Sequence, residues 1–176
     1  MQLIRIGDKV INKDRIFHVI TRMLELRSNG LSQQEVAEQL DIDRTLVSRL
    51  ETIGEVRKGK KIALVGFPVK NKNEVIEIAN AEGVDFTLVM TEEERLEFAR
   101  SRNGADLLNM VMSLIGQARE CDAVIFIGSD ARLNMVEALV GPNVIGVVVG
   151  SSPLHEDKYV DPDYIQSLIR GLKAGH

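Results

Sequence analysis

Four short apolar runs constrain this chain more than any other feature: IALVGF (62–67), VDFTLVM (84–90), DAVIFIG (122–128) and NVIGVVVG (143–150). Each has the length and the near-continuous aliphatic character of a strand buried on both faces. Helical patterns separate them. Asn71 and Glu74 are placed to cap a helix ending near Gly83, and Thr91 with Glu94 forms a capping box for the next. Leu107, Leu108, Val111, Leu114 and Ile115 make one face of a third helix; another runs from Ala131 to Val140 and stops at Gly141-Pro142. The last opens at Asp161 with Pro162 in its first turn and presents Ile165, Leu168, Ile169 and Leu172. Strand and helix in alternation predict an α/β domain over residues 62–176. It should be a Rossmann-like or flavodoxin-like parallel sheet of about four strands with helices on both faces.

Residues 1–54 carry a different pattern. QLIRIGDKVI (2–11) alternates in part around Gly7-Asp8, as an extended segment or a small hairpin. From Asn12 the spacing turns helical, with Ile16, Phe17, Ile20, Met23 and Leu24 on one face and a stop at Asn29-Gly30. LSQQEVAEQLDIDRTLVSRLETIG (31–54) follows. Its apolar residues form two helical sets, Val36 with Leu40 and then Leu46, Val47, Leu50 and Ile53, parted by the polar break at Asp41–Asp43. Ala37 lets the second helix approach closely, and Thr45, Ser48, Arg49 and Thr52 line up as one polar stripe opposite the apolar one. Such a stripe fits a DNA major groove.

This stretch resembles the Cro/phage-repressor (XRE-like) helix-turn-helix regulators. The resemblance rests on Ser32, Gln33, Ala37, Ser48, Leu50 and Glu51, and Asp41 stands where that family usually has Gly. Aspartate also visits the left-handed region, so the turn remains accessible. The resemblance implies a three-helix DNA-binding domain in which Gln33 contacts a phosphate and Arg44, Thr45, Ser48 and Arg49 approach base edges or backbone. The basic stretch at 55–61 reads as a linker or wing, with Arg57, Lys58, Lys60 and Lys61 near phosphates.

Charge is distributed in keeping with this division. Residues 1–60 hold 11 Lys and Arg against 9 Asp and Glu, whereas residues 61–176 hold 11 against 17. Aromatic residues make up 4% of the chain and Trp is absent, so there are few stacking platforms for single strands and duplex DNA is the expected partner. The single Cys121 excludes an internal disulfide and reads as a small core residue. No apolar run approaches a bilayer span, so the expectation is a cytoplasmic protein with no membrane partner.

In an open parallel sheet, ligands bind beyond the strand C-termini. There the sequence places Gly66, Pro68, Lys70 and Asn71 after the first strand and Gly128, Ser129 and Asp130 after the third. These predict a site for a small polar or anionic effector, or else turns and caps. No GxGxxG or GxxxxGK[ST] is present, so no cofactor is expected. His155, Glu156 and Asp157 are consecutive and do not converge on a metal, and no catalytic residue stands out. The expected function is a homodimeric transcription regulator with a sensing or assembly domain. The alternatives are a DNA-binding domain fused to a small metabolic enzyme, and a protein-interaction module.

Overall fold

In the computed structural model, which describes residues 2–55 and 61–174, the N-terminal segment folds back as a hairpin. Strand β1 (Leu3–Ile6) pairs antiparallel with β2 (Lys9–Asn12), and Gly7 takes φ 58° in the turn, a region open to glycine because it has no Cβ. By internal contacts the chain divides into two units, Met1–Glu55 and Val56–His176.

The first unit continues with three helices. Helix α1 (Lys13–Ser28) starts where Asn12 accepts from the Arg15 amide, and α2 (Gln33–Leu40) starts in a capping box between Ser32 and Glu35. Asp41 ends α2 in the left-handed region (φ 53°, ψ 50°), the role the sequence allowed for it. Asp43 then caps α3 (Arg44–Gly54) by accepting the Thr45 amide at 2.6 Å. The enclosed core consists of Met23, Leu26, Val36, Ala37 and Val47, with Leu31, Leu40, Ile42 and Leu50 at its margin.

Burial here is narrower than periodicity predicted. Leu46 and Ile53 are exposed on α3, and Ile16, Phe17 and Leu24 on α1. On α1 the buried residues are Met23 and Leu26, so Leu24 between them points away from the enclosed core. An apolar groove of about 590 Å³ remains within this unit, lined by Val10, Ile16, Ile20, Met23, Leu46 and Leu50 among others.

The second unit runs β3 (Ile62–Gly66), α4 (Lys72–Ala81), β4 (Phe86–Val89), α5 (Glu92–Arg100), α6 (Gly104–Arg119), β5 (Ala123–Ser129), α7 (Asp130–Val140), β6 (Val144–Gly150) and α8 (Pro162–Lys173). Its four strands are all parallel, in the order β4-β3-β5-β6, so the connections reverse direction between β3 and β5. This is a mixed α/β fold with helices on both faces of the sheet. On one face Ile62, Leu64, Ile125 and Ile127 meet Val75 and Ala79 of α4 and Ile165 and Ile169 of α8. On the other, Ala63 and Val124 meet Ala118 and Cys121. The period-two alternation of the strands divides their side chains between these layers.

Full burial holds along β5, and along β3 except at Val65. The outer strands β4 and β6 are half-buried, and Val148 is exposed, because each has a neighbour on one side alone. Glycine at 146 makes room for α7: a Cβ there would lie 2.1 Å from Cδ2 of Leu133. Among the described residues no helix is long and apolar enough to cross a membrane.

Candidate functional site

Helix α3 carries most of the residues expected to meet DNA. Val47 is fully buried, which fixes the rotation of the helix. At 100° per residue, Thr45, Arg49 and Thr52 then lie on the opposite side, with Ser48 beside them and Arg44 in the first turn. Arg44, Thr45, Arg49 and Thr52 are exposed and Ser48 is half-buried. Arg44 and Arg49 have no hydrogen-bonding or ion-pair partner among the described residues. The Thr52 hydroxyl is engaged locally, donating to the Ser48 carbonyl at 2.9 Å.

Gln33 lies differently from a side chain held out to solvent. Its amide nitrogen donates to Glu51 at 2.8 Å, and the same carboxylate is gripped by Arg27, which also donates to the Leu31 carbonyl. These bonds, first Arg27 and then Gln33, hold the Glu51 carboxyl below the ordinary glutamate range. The helix spacing nevertheless brings Gln33, Ser48 and Thr52 together, with Glu51 and Leu50, around one depression of about 490 Å³. Arg57, Lys58 and Lys60 of the basic stretch lie outside the described residues; Lys61 is exposed and pairs with Glu120 at 3.4 Å.

At the C-terminal edge of the sheet, the neighbouring positions of β3 and β5 bring the two sequence-predicted groups to one place. Most of these residues bind the chain itself. Gly66 is a packing position, since a Cβ would lie 3.1 Å from Cβ of Ile127. At Gly128 a Cβ would lie 2.7 Å from the Phe126 ring. Pro68 is buried and Lys70 exposed.

Asn71, expected as a helix cap, makes no side-chain cap bond. It ties down the segment after β6 instead, donating to the Val160 carbonyl at 2.8 Å and accepting the Val160 amide at 2.9 Å. The Val160 backbone offers the Asn71 amide both a donor and an acceptor, which the amides of its own helix do not. Ser129 is fully buried with its hydroxyl 3.0 Å from that of Ser152, and one Asp130 oxygen accepts the amides of Ala131 (2.7 Å) and Ser152 (2.8 Å).

The structure gathers a further set at this edge that sequence reading passed over. Arg132, in the first turn of α7, places its guanidinium 5.5 Å from the centroid of the Phe67 ring, and Phe67 in turn meets Phe126 edge to face at 5.7 Å. Arg95, in the first turn of α5, grips Glu92 with two bonds of 2.9 and 2.6 Å. The signal available in the sequence was an arginine soon after the end of each of two strands, a spacing too common to single out alone.

His155 is exposed, Glu156 pairs with Lys158, and Asp157 accepts the Glu92 amide at 2.7 Å. Among the described residues no three His, Cys, Asp or Glu side chains are grouped to hold a metal ion. Cys121 is buried, and burial pushes its thiol above the ordinary range. No protein-family model matches the chain, and no solved structure matches it at a significant level.

Proposed function

We propose that the chain is a cytoplasmic, homodimeric transcription regulator of the helix-turn-helix kind, in which residues 1–54 bind duplex DNA and residues 62–176 sense a small polar or anionic effector or hold the dimer together. The observation that carries this reading is the outward stripe of α3. Arg49 stands opposite the buried Val47 and Arg44 lies in the first turn, two cations without partners among the described residues, with Thr45 and Ser48 between them. A guanidinium fork on the outward side of α3, at Arg49, suits guanine edges and phosphates, and Arg44 reaches out from the first turn. Two-fold assembly gives each short helix a second half-site about 34 Å along the duplex, and thereby the contact area one helix lacks.

The test is binding of a duplex library by the full-length protein, followed by Arg44→Ala and Arg49→Ala on the selected sequence. Each variant should weaken binding, and tight sequence-selective binding indifferent to both overturns the assignment. Sedimentation as a monomer at micromolar concentration, with and without DNA, overturns the dimer.

A second reading, a protein-interaction module, draws on the exposed Leu46 and Ile53 that flank the same stripe. It predicts no selected duplex at all, for wild type and variants alike.

A further inference from the structure

Arg132 presents a problem of pairing. Its Nη1 is shielded from solvent and has no hydrogen-bond partner among the described residues. A buried guanidinium nitrogen without an acceptor is costly, because the charge has left water and gained nothing in exchange. The chain holds the group there by other means: the guanidinium lies over the Phe67 ring, itself braced by Phe126. Burial and the nearby Arg95 charge push the Arg132 guanidinium below its ordinary value, with Glu92 acting in the other direction.

Several acceptors on the flanking segments are engaged elsewhere. Glu92 takes both bonds from Arg95, one oxygen of Asp130 takes the Ala131 and Ser152 amides, and Asp157 takes the Glu92 amide. Arg95 and Glu92 pair with each other, and Arg132 has no ion pair of its own among the described residues.

We propose that Arg132 is the anchor of an oxyanion site between the first turns of α5 and α7, taking a small carboxylate- or phosphate-bearing ligand. The ligand binds at the half-buried Arg132 and offsets the hydrogen bond that the shielded Nη1 lacks, and the Arg95–Glu92 pair forms the adjoining wall. A guanidinium fork matches either oxyanion in two-point geometry. The site sits at the carboxyl edge of a parallel sheet beside its reversal point, where ligands of such sheets bind. This deepens the sensing role proposed for residues 62–176 and is independent of DNA recognition.

The experiment titrates the full-length protein, without DNA, against inorganic phosphate in one arm and succinate in the other, with sodium chloride at matched ionic strength as control. Calorimetry and thermal melting are the readouts. Saturable binding of phosphate or succinate, with its increase in Tm, is expected, weakened about tenfold or more in Arg132→Gln. Arg132→Lys, which keeps the charge without the fork, should fall between the two and serves if the glutamine variant does not fold. The Arg132 guanidinium resonance of ¹⁵N-labelled wild type should also shift with the bound anion. No response beyond chloride in either arm, or binding unchanged in the variants, overturns the site; a merely structural Arg132 would lower Tm and leave the anion response intact.

Discussion

Gln33 of α2 donates to Glu51 of α3 at 2.8 Å, while Arg27 of α1 holds the other oxygen of the same carboxylate. One side chain thus ties the third helix to both of the others, at the edge of a core of five buried residues. In so small a core, a polar tie of this kind fixes how α3 sits on α1 and α2, and with it the direction of the α3 stripe.

Replacing Glu51 with Gln should therefore destabilise the first unit by about 1 to 2 kcal/mol, the scale of hydrogen bonds to a partly exposed charge. The carboxyl is held below its ordinary value of 4.5, so its contribution is present above that pH and is lost as pH falls through the lowered folded-state value. The Tm gap between wild type and Glu51→Gln, followed by circular dichroism, should be full at pH 7 and shrink below about pH 4.5. A gap that widens on acidification contradicts the tie.

Arg49 is exposed and has no partner among the described residues, so Arg49→Ala should leave stability within about 0.5 kcal/mol of wild type. If Arg49 contacts a base edge, the loss in DNA affinity should be about 1 to 3 kcal/mol and confined to the selected sequence. If it contacts a phosphate, affinity should fall across all sequences and the salt slope by about one. Fluorescence anisotropy at several salt concentrations separates the two.

Asp41 holds φ 53°, a conformation that costs most side chains about 1 to 2 kcal/mol. Asp41→Gly should raise stability by up to about 1 kcal/mol, and Asp41→Val should lower it by at least that much. Urea unfolding gives both signs; a stabilising valine would show that the turn is not held as described.

Gly146 and Leu133 should be coupled. Gly146→Ala forces Leu133 aside and should cost about 1 to 3 kcal/mol, the usual scale of overpacking. In a Leu133→Ala background the same change should cost clearly less. A double-mutant cycle with no coupling energy would rule out the contact.

Much of this fold was legible in the sequence because local chemistry encodes it locally. The four strands fall within the four apolar runs to within a residue or two at each end. The capping box at Thr91 forms as its spacing required, and Asp161-Pro162 opens the last helix. Each of these depends on residues a few positions apart, whose torsions and bonds are set before any distant segment arrives.

Burial and pairing followed a different logic. Periodicity shows which residues share a helix face but not whether anything covers it. Leu46, Ile53 and Phe17 stayed exposed for that reason, and the edge strands were only half covered. Asn71 keeps a bond to Glu74, three residues away, but its bonds to the Val160 backbone, 89 positions on, were set only by the fold. Arg132 was one arginine among many until the sheet order set it over Phe67 with its neighbours' carboxylates already engaged. The sequence by itself determined the elements, their ends and the polar stripe of α3, because these depend on neighbours in the chain. Only the tertiary structure decided which polar groups are satisfied and which are left wanting a partner, because hydrogen bonding and desolvation depend on neighbours in space.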